Sequence, residues 1–308
     1  MRHVFIVNPV SGKADASGTL VPAIITAAKT LGVEYEILLT ERPGHGEELA
    51  RQRARAGEPV RLYACGGDGT LNEVLQGARG FSNAAVGCVP CGSGNDFVRN
   101  FGKREDFLDL ARLMRGEERT IDLIDTDRGM ACTICSAGLD AQVAYGIPKF
   151  RRLPFCGGSM AYNLSILQAV CGPLGHRLRV VADGEEITGE FLMLAICNGC
   201  AYGGGYLAAP EADMRDGLLD LMLIKKIGRL TAARVIGGYK KGEHIKNGAV
   251  TEPFRNILLF RRVREVSVQV LDGRPLVVTR DGECEERMSL NARVSPAAAR
   301  VLVPAGML

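Results

Sequence analysis

The chain has 308 residues, 46% of them hydrophobic and 24% charged, with a formal net charge of +3. This length suggests two domains or one large one, and the ordinary globular composition excludes a disordered, collagen-like or coiled-coil chain. No stretch reaches the roughly 18 uncharged apolar residues that a spanning helix needs. The apolar run at the N-terminus stops at Asn8-Pro9 without a signal peptide's long core or cleavage site, so a cytoplasmic protein is expected.

Residues 4–7 read as an apolar strand, 23–31 as a helix, 35–39 as a strand and 47–56 as a polar helix. Residues 61–65 read as a strand, 71–78 as a helix, 84–89 as a strand, and 107–114 as a helix with Leu108, Ala111 and Leu113 inward. Short strands rich in Val, Ile and Leu alternating with helices predict an α/β doubly wound parallel sheet over 1–127. Beyond 127 strand signals dominate, interrupted by helices over 160–170 and 230–239. Asp183-Gly184 and Asp272-Gly273 predict tight hairpins, the first between 178–181 and 187–197, the second between 266–271 and 276–279. A β-rich antiparallel sandwich domain over 128–290 follows. Residues 291–308 either finish that domain or return to the first.

The third strand runs into Gly66-Gly67-Asp68-Gly69-Thr70-Leu71-Asn72. Closely spaced glycines before a helix let backbone amides approach an anion, and the helix start adds a positive dipole end. Asp68 inside such a turn repels a bare phosphate, but suits one that carries Mg²⁺, or accepts a hydrogen bond near the reacting group. There is no Gly-Lys-Ser/Thr and no GxGxxG, which argues against a Walker A loop and against a dinucleotide oxidoreductase. The fourth strand ends in Pro90-Cys91-Gly92-Ser93-Gly94-Asn95-Asp96-Phe97, the first in Asn8-Pro9-Val10-Ser11-Gly12, and the second at Thr40. All four points lie at carboxyl ends of predicted parallel strands, where open α/β sheets bind ligands. Together they point to a nucleotide.

Charge is uneven along the chain. Residues 1–127 hold 15 Lys and Arg against 18 Asp and Glu, and residues 128–308 hold 23 against 17. A basic second half suits an anionic membrane surface, and the bland alternative is a solvated mixed-charge face. Three of the ten cysteines' spacings are CxxC: Cys88/Cys91, Cys132/Cys135 and Cys197/Cys200. Positions i and i+3 of a strand face opposite ways, so Cys132 and Cys135 cannot share a metal. Only Cys197/Cys200 can turn tightly enough, and buried thiols in a reducing compartment are expected throughout.

Four motifs in order, at 8–12, 66–73, 90–97 and 281–283, resemble the diacylglycerol kinase catalytic-domain family, specifically its soluble bacterial lipid kinases, relatives of sphingosine and ceramide kinases. The match spans nearly the whole chain. The resemblance implies nucleotide contacts at Asn8, Pro9, Val10, Ser11, Gly12, Thr40, Gly66, Gly67, Asp68, Gly69, Thr70, Leu71, Asn72 and Ser93, with ATP between the domains. Ser93 stands where the family usually has Thr and keeps the hydroxyl. The resemblance also implies Glu283, in Asp281-Gly282-Glu283, as catalytic base. Residues 213–220 resemble the family's structural Mg²⁺ loop, with Asp213 and Asp216 as side-chain ligands and Leu218 giving its carbonyl. A β-turn ahead of a strand is the alternative there.

The expected reaction is ATP- and Mg²⁺-dependent phosphorylation of a membrane lipid, diacylglycerol giving phosphatidic acid. Asp68 would orient or coordinate the reacting Mg²⁺, and Glu283 would take the hydroxyl proton. Peripheral contact with an anionic membrane is expected at Lys149-Phe150-Arg151-Arg152-Leu153-Pro154-Phe155 or along the basic stretch 240–264. No nucleic-acid partner is expected, and an exposed sheet edge would allow a homodimer. The competing readings are an NAD kinase, which shares the Gly-Gly-Asp-Gly-Thr turn, and a non-catalytic nucleotide or lipid sensor. The acidic residues Asp68, Asp96 and Glu283 argue against the sensor.

Overall fold

Val4, Phe5, Ile6 and Val7 are fully buried, as befits a strand covered on both faces. They belong to β1 (Arg2–Val7) of a computed structural model that describes residues 1–12, 17–92, 94–153 and 158–307. The chain divides into two units. One comprises Met1–Leu123, Met214–Asp216 and Ser295–Leu308, and the other Ile124–Asp213 and Gly217–Val294.

In the first unit, β1 is followed by α1 (Ser17–Leu31), β2 (Tyr35–Leu39), α2 (His45–Ala54), β3 (Val60–Gly66), α3 (Asp68–Ala78), β4 (Ala84–Pro90), α4 (Arg104–Leu108) and α5 (Leu110–Met114). The strands run parallel in the order β2-β1-β3-β4. Val301 and Leu302 of the C-terminal strand add a parallel neighbour opposite Val86 and Gly87. From β1 the chain first builds to one side, then to the other. The carboxyl ends of β1 and β3 therefore flank a topological switch point, where such sheets open a crevice.

Two expectations change here. α3 begins at Asp68, so Gly69, Thr70 and Asn72 sit in helical turns and only Gly66-Gly67 form the bend. The helix expected over 107–114 is two helices. Asp109 adopts an extended conformation between them, and its carboxylate accepts the Arg112 amide as an N-cap at 3.0 Å. The break rotates the apolar face, so Phe107, Leu110 and Leu113 are buried whereas Leu108 is 45% exposed.

β5 (Glu117–Thr126) begins in the first unit and ends in the second. There follow β6 (Gly129–Ala131), β7 (Ile134–Gly138), α6 (Leu139–Arg151), α7 (Gly158–Cys171), β8 (His176–Ala182), β9 (Glu185–Cys197), β10 (Leu219–Lys225) and α8 (Arg229–Lys240). Next come β11 (Ile245–Lys246), β12 (Ala249–Val250), β13 (Leu258–Val263), β14 (Glu265–Val270), β15 (Leu276–Arg280), β16 (Glu283–Arg287) and β17 (Ser289–Val303). The strand pairs whose register is described in this unit are antiparallel. The order is β16-β15-β7-β9-β8-β14-β17, with β10 on β9 and β13 on β10. Alternate residues of β9 serve two cores, as a period of two requires. Leu194 and Ile196 face Leu178, Val180 and Leu221. Met193, Ala195 and Cys197 face Met222, Tyr239 and Phe254. The result is a β-rich sandwich.

Ser289–Arg293 of β17 pair with β14, while Val301 and Leu302 pair with β4. One strand thus serves both units. Asp183 (φ 45°) and Gly184 (φ 86°) form the expected two-residue hairpin between β8 and β9. Asp272-Gly273 does not form one. The strands on its two sides pair elsewhere, β14 with β8 and β17, β15 with β7 and β16. Another Asp-Gly pair does form one: Asp281 (φ 46°) and Gly282 (φ 98°) join β15 to β16. Helix α6 has no counterpart in the sequence reading, because Gly146 and Pro148 interrupt its helical signal. Lys149 to Arg151 of the expected membrane segment end this helix, Arg152 and Leu153 follow exposed, and Pro154 and Phe155 lie outside the described residues.

Candidate active site

Three turns of the first unit are tied together at the switch point. The Gly66 carbonyl accepts the amides of Cys91 (2.9 Å) and Gly92 (3.1 Å), joining the ends of β3 and β4. The Asp68 carboxylate accepts the amides of Asn95 (2.7 Å), Asp96 (2.9 Å) and Phe97 (3.4 Å). The Asn8 side-chain amide, at the end of β1, donates to the Thr70 hydroxyl at 3.1 Å. Backbones touch as well. A Cβ on Gly12 (φ 98°) would lie 2.8 Å from the Cys91 carbonyl oxygen, and one on Gly92 would lie 2.5 Å from the Gly67 Cα. Side chains at these two positions would push the turns apart.

Gly67 is the N-cap of α3 and supplies no side chain to that helix start. The first-turn amides of α3 therefore have no side-chain cap from Gly67, and the positive end of the helix dipole lies at this turn, a setting suited to an anionic group. Thr70 and Asn72 are buried beside it. Leu71 turns its side chain into the core, and its amide donates to the Gly67 carbonyl at 3.1 Å, so it supports the turn from below. Pro9 to Gly12 form a bend in which the Ser11 amide donates to the Asn8 carbonyl at 3.2 Å, and Val10 is 86% exposed. Ser93 lies outside the described residues. Beneath the turns, burial pushes the Cys65 and Cys88 thiols well above their ordinary range, which keeps both protonated.

Thr40 joins the group by donating its amide to the Val7 carbonyl at 2.9 Å. The loop after it is held by a residue the sequence reading left without a role. Glu73 of α3 accepts the amides of Gly44 (2.8 Å) and Gly46 (2.9 Å) at the start of α2. The N-cap Gly44 has no side chain to do this, so a neighbouring helix supplies the missing cap. Glu73→Ala should leave two amides unpaired and lower stability by ~1–3 kcal/mol. Thermal denaturation reads this as a fall in Tm, with Glu73→Gln recovering part of it.

In the second unit, Glu283 opens β16 and its side chain is 61% exposed. Across the hairpin, Arg280 Nη2 is 3.8 Å from Glu283 and 3.7 Å from Glu285. The hairpin is pinned by its own Asp281. That carboxylate accepts the amides of Cys132 (2.5 Å), Thr133 (3.0 Å) and Ile134 (3.0 Å). Asp281 thereby sets where Glu283 starts, a positioning task visible in the sequence only as an Asp-Gly pair.

Asp213 and Asp216 are exposed, and Leu218 follows Gly217, whose φ of 72° turns the backbone. Two carboxylates and a carbonyl are hard oxygen donors of the kind Mg²⁺ takes, so the donor set fits that ion. Among the described residues, no cluster of three or more His, Cys, Asp or Glu side chains is placed to hold a metal. Two open grooves over β8, β14 and β17 contain none of the expected site residues.

Residues 2–126 match the diacylglycerol kinase catalytic domain, and residues 133–303 match the YegS C-terminal NAD kinase beta sandwich-like domain. A Pseudomonas aeruginosa PAO1 protein named as a probable YegS-like lipid kinase is 30% identical over 295 residues, covering 95% of this chain and 92% of its own. A diacylglycerol kinase of Bacillus subtilis 168 is 29% identical over 249 residues, 80% of this chain and 81% of its own. The crystal structure of a diacylglycerol kinase from Bacillus anthracis Sterne shares the fold, with a TM-score of 0.70 at 16% identity over 100% of this chain and 98% of that one.

Proposed function

We propose, since the chain belongs to the diacylglycerol kinase catalytic-domain family, that it transfers the γ-phosphoryl group of ATP to the hydroxyl of a membrane lipid, with diacylglycerol as the first acceptor to test. The chain is an enzyme of the kinase class. The observation that carries the nucleotide half of this reading is the three-way tie of the turns after β1, β3 and β4. It holds amides and a helix start ready for a polyphosphate without further ordering.

In this reading Asn8 to Gly12, Thr40, and Gly66 to Asn72, with Ser93, bind and orient ATP. Asp68 holds residues 95–97 in place, which is the work its three amide bonds describe. Glu283 accepts the proton of the lipid hydroxyl as the new oxygen–phosphorus bond forms and ADP leaves. A loose transition state sheds that proton late, so orientation matters more than basicity. Asp213, Asp216 and the Leu218 carbonyl would hold a structural Mg²⁺. Mg²⁺ bound with the nucleotide would neutralise charge on the transferring phosphoryl group.

No helix among the described residues is long and apolar enough to cross a membrane, so the acceptor has to be met at the surface. Of the basic stretch 240–264, Lys241, Arg255, Arg261 and Arg262 are paired with acids. Helix α8 offers more. Leu230 is 89% and Ile236 47% exposed, and Arg234 and Lys240 are exposed on the same helix. Apolar insertion and basic flanks together favour an anionic interface. Co-sedimentation with anionic vesicles should be salt-sensitive and should weaken in Leu230→Asp. Unchanged binding of that variant would move the docking surface elsewhere.

The function itself is tested with a lipid panel, ATP and Mg²⁺, scored by phosphate incorporation. Phosphate transfer to diacylglycerol or another lipid hydroxyl supports the reading. Transfer to NAD and to no lipid would overturn the acceptor class.

A further inference from the structure

Arg280 ends β15 and Glu283 opens β16, and the register of the hairpin sets them directly opposite each other. Side chains two apart on a strand share a face, so Glu285 and Arg287 lie on the same face of β16 as Glu283. Arg280 therefore meets one carboxylate across the ladder and a second on the diagonal, both within reach of a long side chain. Its Nη2 stands 3.8 Å from Glu283 and 3.7 Å from Glu285. Glu285 in turn lies 3.6 Å from Arg287 Nη1, and Arg287 Nη2 pairs with Asp127. Asp127, Arg287, Glu285, Arg280 and Glu283 thus form a row of alternating charge that ends at Glu283.

The row is held firmly at its arginines and loosely at its end. The Arg280 and Arg287 side chains are only 14% and 15% exposed, and Arg280 Nη1 also donates to the Arg128 carbonyl. Glu283 is largely exposed, and among the described residues Arg280 is the cation that reaches it. Arg280 is not saturated. Its Nε is shielded from solvent without an acceptor, and Nη2 meets its two carboxylates at ion-pair distance rather than hydrogen-bond distance. An arginine kept for stability alone has its buried donors filled, and an ion pair to an exposed carboxylate adds little to stability. The effect of Arg280 falls on orientation instead. A free Glu side chain samples several rotamers, and a fixed planar guanidinium restricts where its carboxylate rests.

We propose that Arg280 is a positioning residue for phosphoryl transfer: fixed by Glu285 and the Arg128 carbonyl, it holds the Glu283 carboxylate at the start of β16 where the lipid hydroxyl meets it. The proposal rests on the reading of Glu283 as proton acceptor and deepens it. A guanidinium donates hydrogen bonds and accepts none, so Arg280 places the acceptor and takes no part in the transfer itself. Contacts of this kind are often long before the substrate binds and tighten in the reacting complex. Where orientation outweighs basicity, as in a loose transition state, a group that fixes the carboxylate acts on kcat.

The test is a double-mutant cycle on wild type, Arg280→Met, Glu283→Gln and the two combined, with Arg280→Lys beside them. Turnover is read with diacylglycerol in mixed micelles and γ-labelled ATP, under single-turnover conditions for the slowest variants. Arg280→Met should lower kcat by ~10–10²-fold, the order of loss that follows a misplaced group, and leave the KM for ATP unchanged. Arg280→Lys should recover part of the loss, because it keeps the charge without the fork. In the Glu283→Gln background Arg280→Met should cost less than about 2-fold more, since residues that act as a unit are not additive. A wild-type kcat in Arg280→Met, or losses that multiply in the combined variant, overturns the positioning role and leaves the lipid-kinase reading intact. A normal kcat in Glu283→Gln overturns the base assignment and this role with it. No lipid phosphorylation by the wild type overturns the kinase reading as well. Should Arg280→Met fail to fold, Arg280→Lys, alone and with Glu283→Gln, decides by the same cycle.

Discussion

Glu283→Gln is expected to lower turnover by about 10²–10⁴-fold, the usual cost of losing a general base, while ATP binding persists. The substitution is nearly isosteric. It removes the charge and the proton-accepting oxygen but leaves the hairpin intact, because Asp281 and not Glu283 anchors it to the amides of residues 132–134. Arg280, 3.8 Å away, keeps a second carboxylate in Glu285, so no cation is left without a partner. Glu283 belongs to the β-rich unit, whereas the glycine-rich turns belong to the α/β unit. Calorimetric ATP affinity should therefore match wild type as kcat collapses. A near-normal kcat would assign the base elsewhere.

Asp68→Asn should behave differently. The carboxylate serves three amides with two oxygens. An asparagine keeps one oxygen and turns an NH₂ donor toward an amide that is itself a donor. The expected loss is ~1–3 kcal/mol of stability, with a raised KM for ATP and a fall in kcat of at least ~10²-fold, since small displacements of positioning groups carry penalties of that order. The joint change in Tm, KM and kcat distinguishes a group that holds the turn from one that acts only on the reacting atoms. A variant with unchanged Tm and KM but abolished kcat would return Asp68 to direct contact with the metal or phosphate.

Much of this was legible because the relevant signals are local. Apolar strands, helical periodicity and Gly-Gly or Gly-x-Gly bends depend on residues a few positions apart, so β1, β2, β3 and β4 and the turns after them are legible in the sequence. The Asp-Gly pairs show the limit of that reasoning. Asp183-Gly184 and Asp272-Gly273 look alike in sequence. Only the first closes a hairpin, because the strands flanking the second find other partners. The break at Asp109 and the helix that begins at Leu139 were missed for a related reason. A capping carboxylate divides one apparent period, and Gly146 and Pro148 mask another.

The amino-acid order alone determined the α/β then β-rich plan and the place of the glycine-rich turns, since backbone preference and hydrophobic period act within single elements. Tertiary structure alone decided which carboxylates accept backbone amides from distant segments. Asp68, Glu73 and Asp281 each accept amides from segments distant in the chain, and Asp140 receives none in good geometry. Those four carboxylates are chemically alike in sequence. They differ only in the amides that long-range folding brings to them, because a hydrogen bond depends on distance and direction in space and not on separation along the chain.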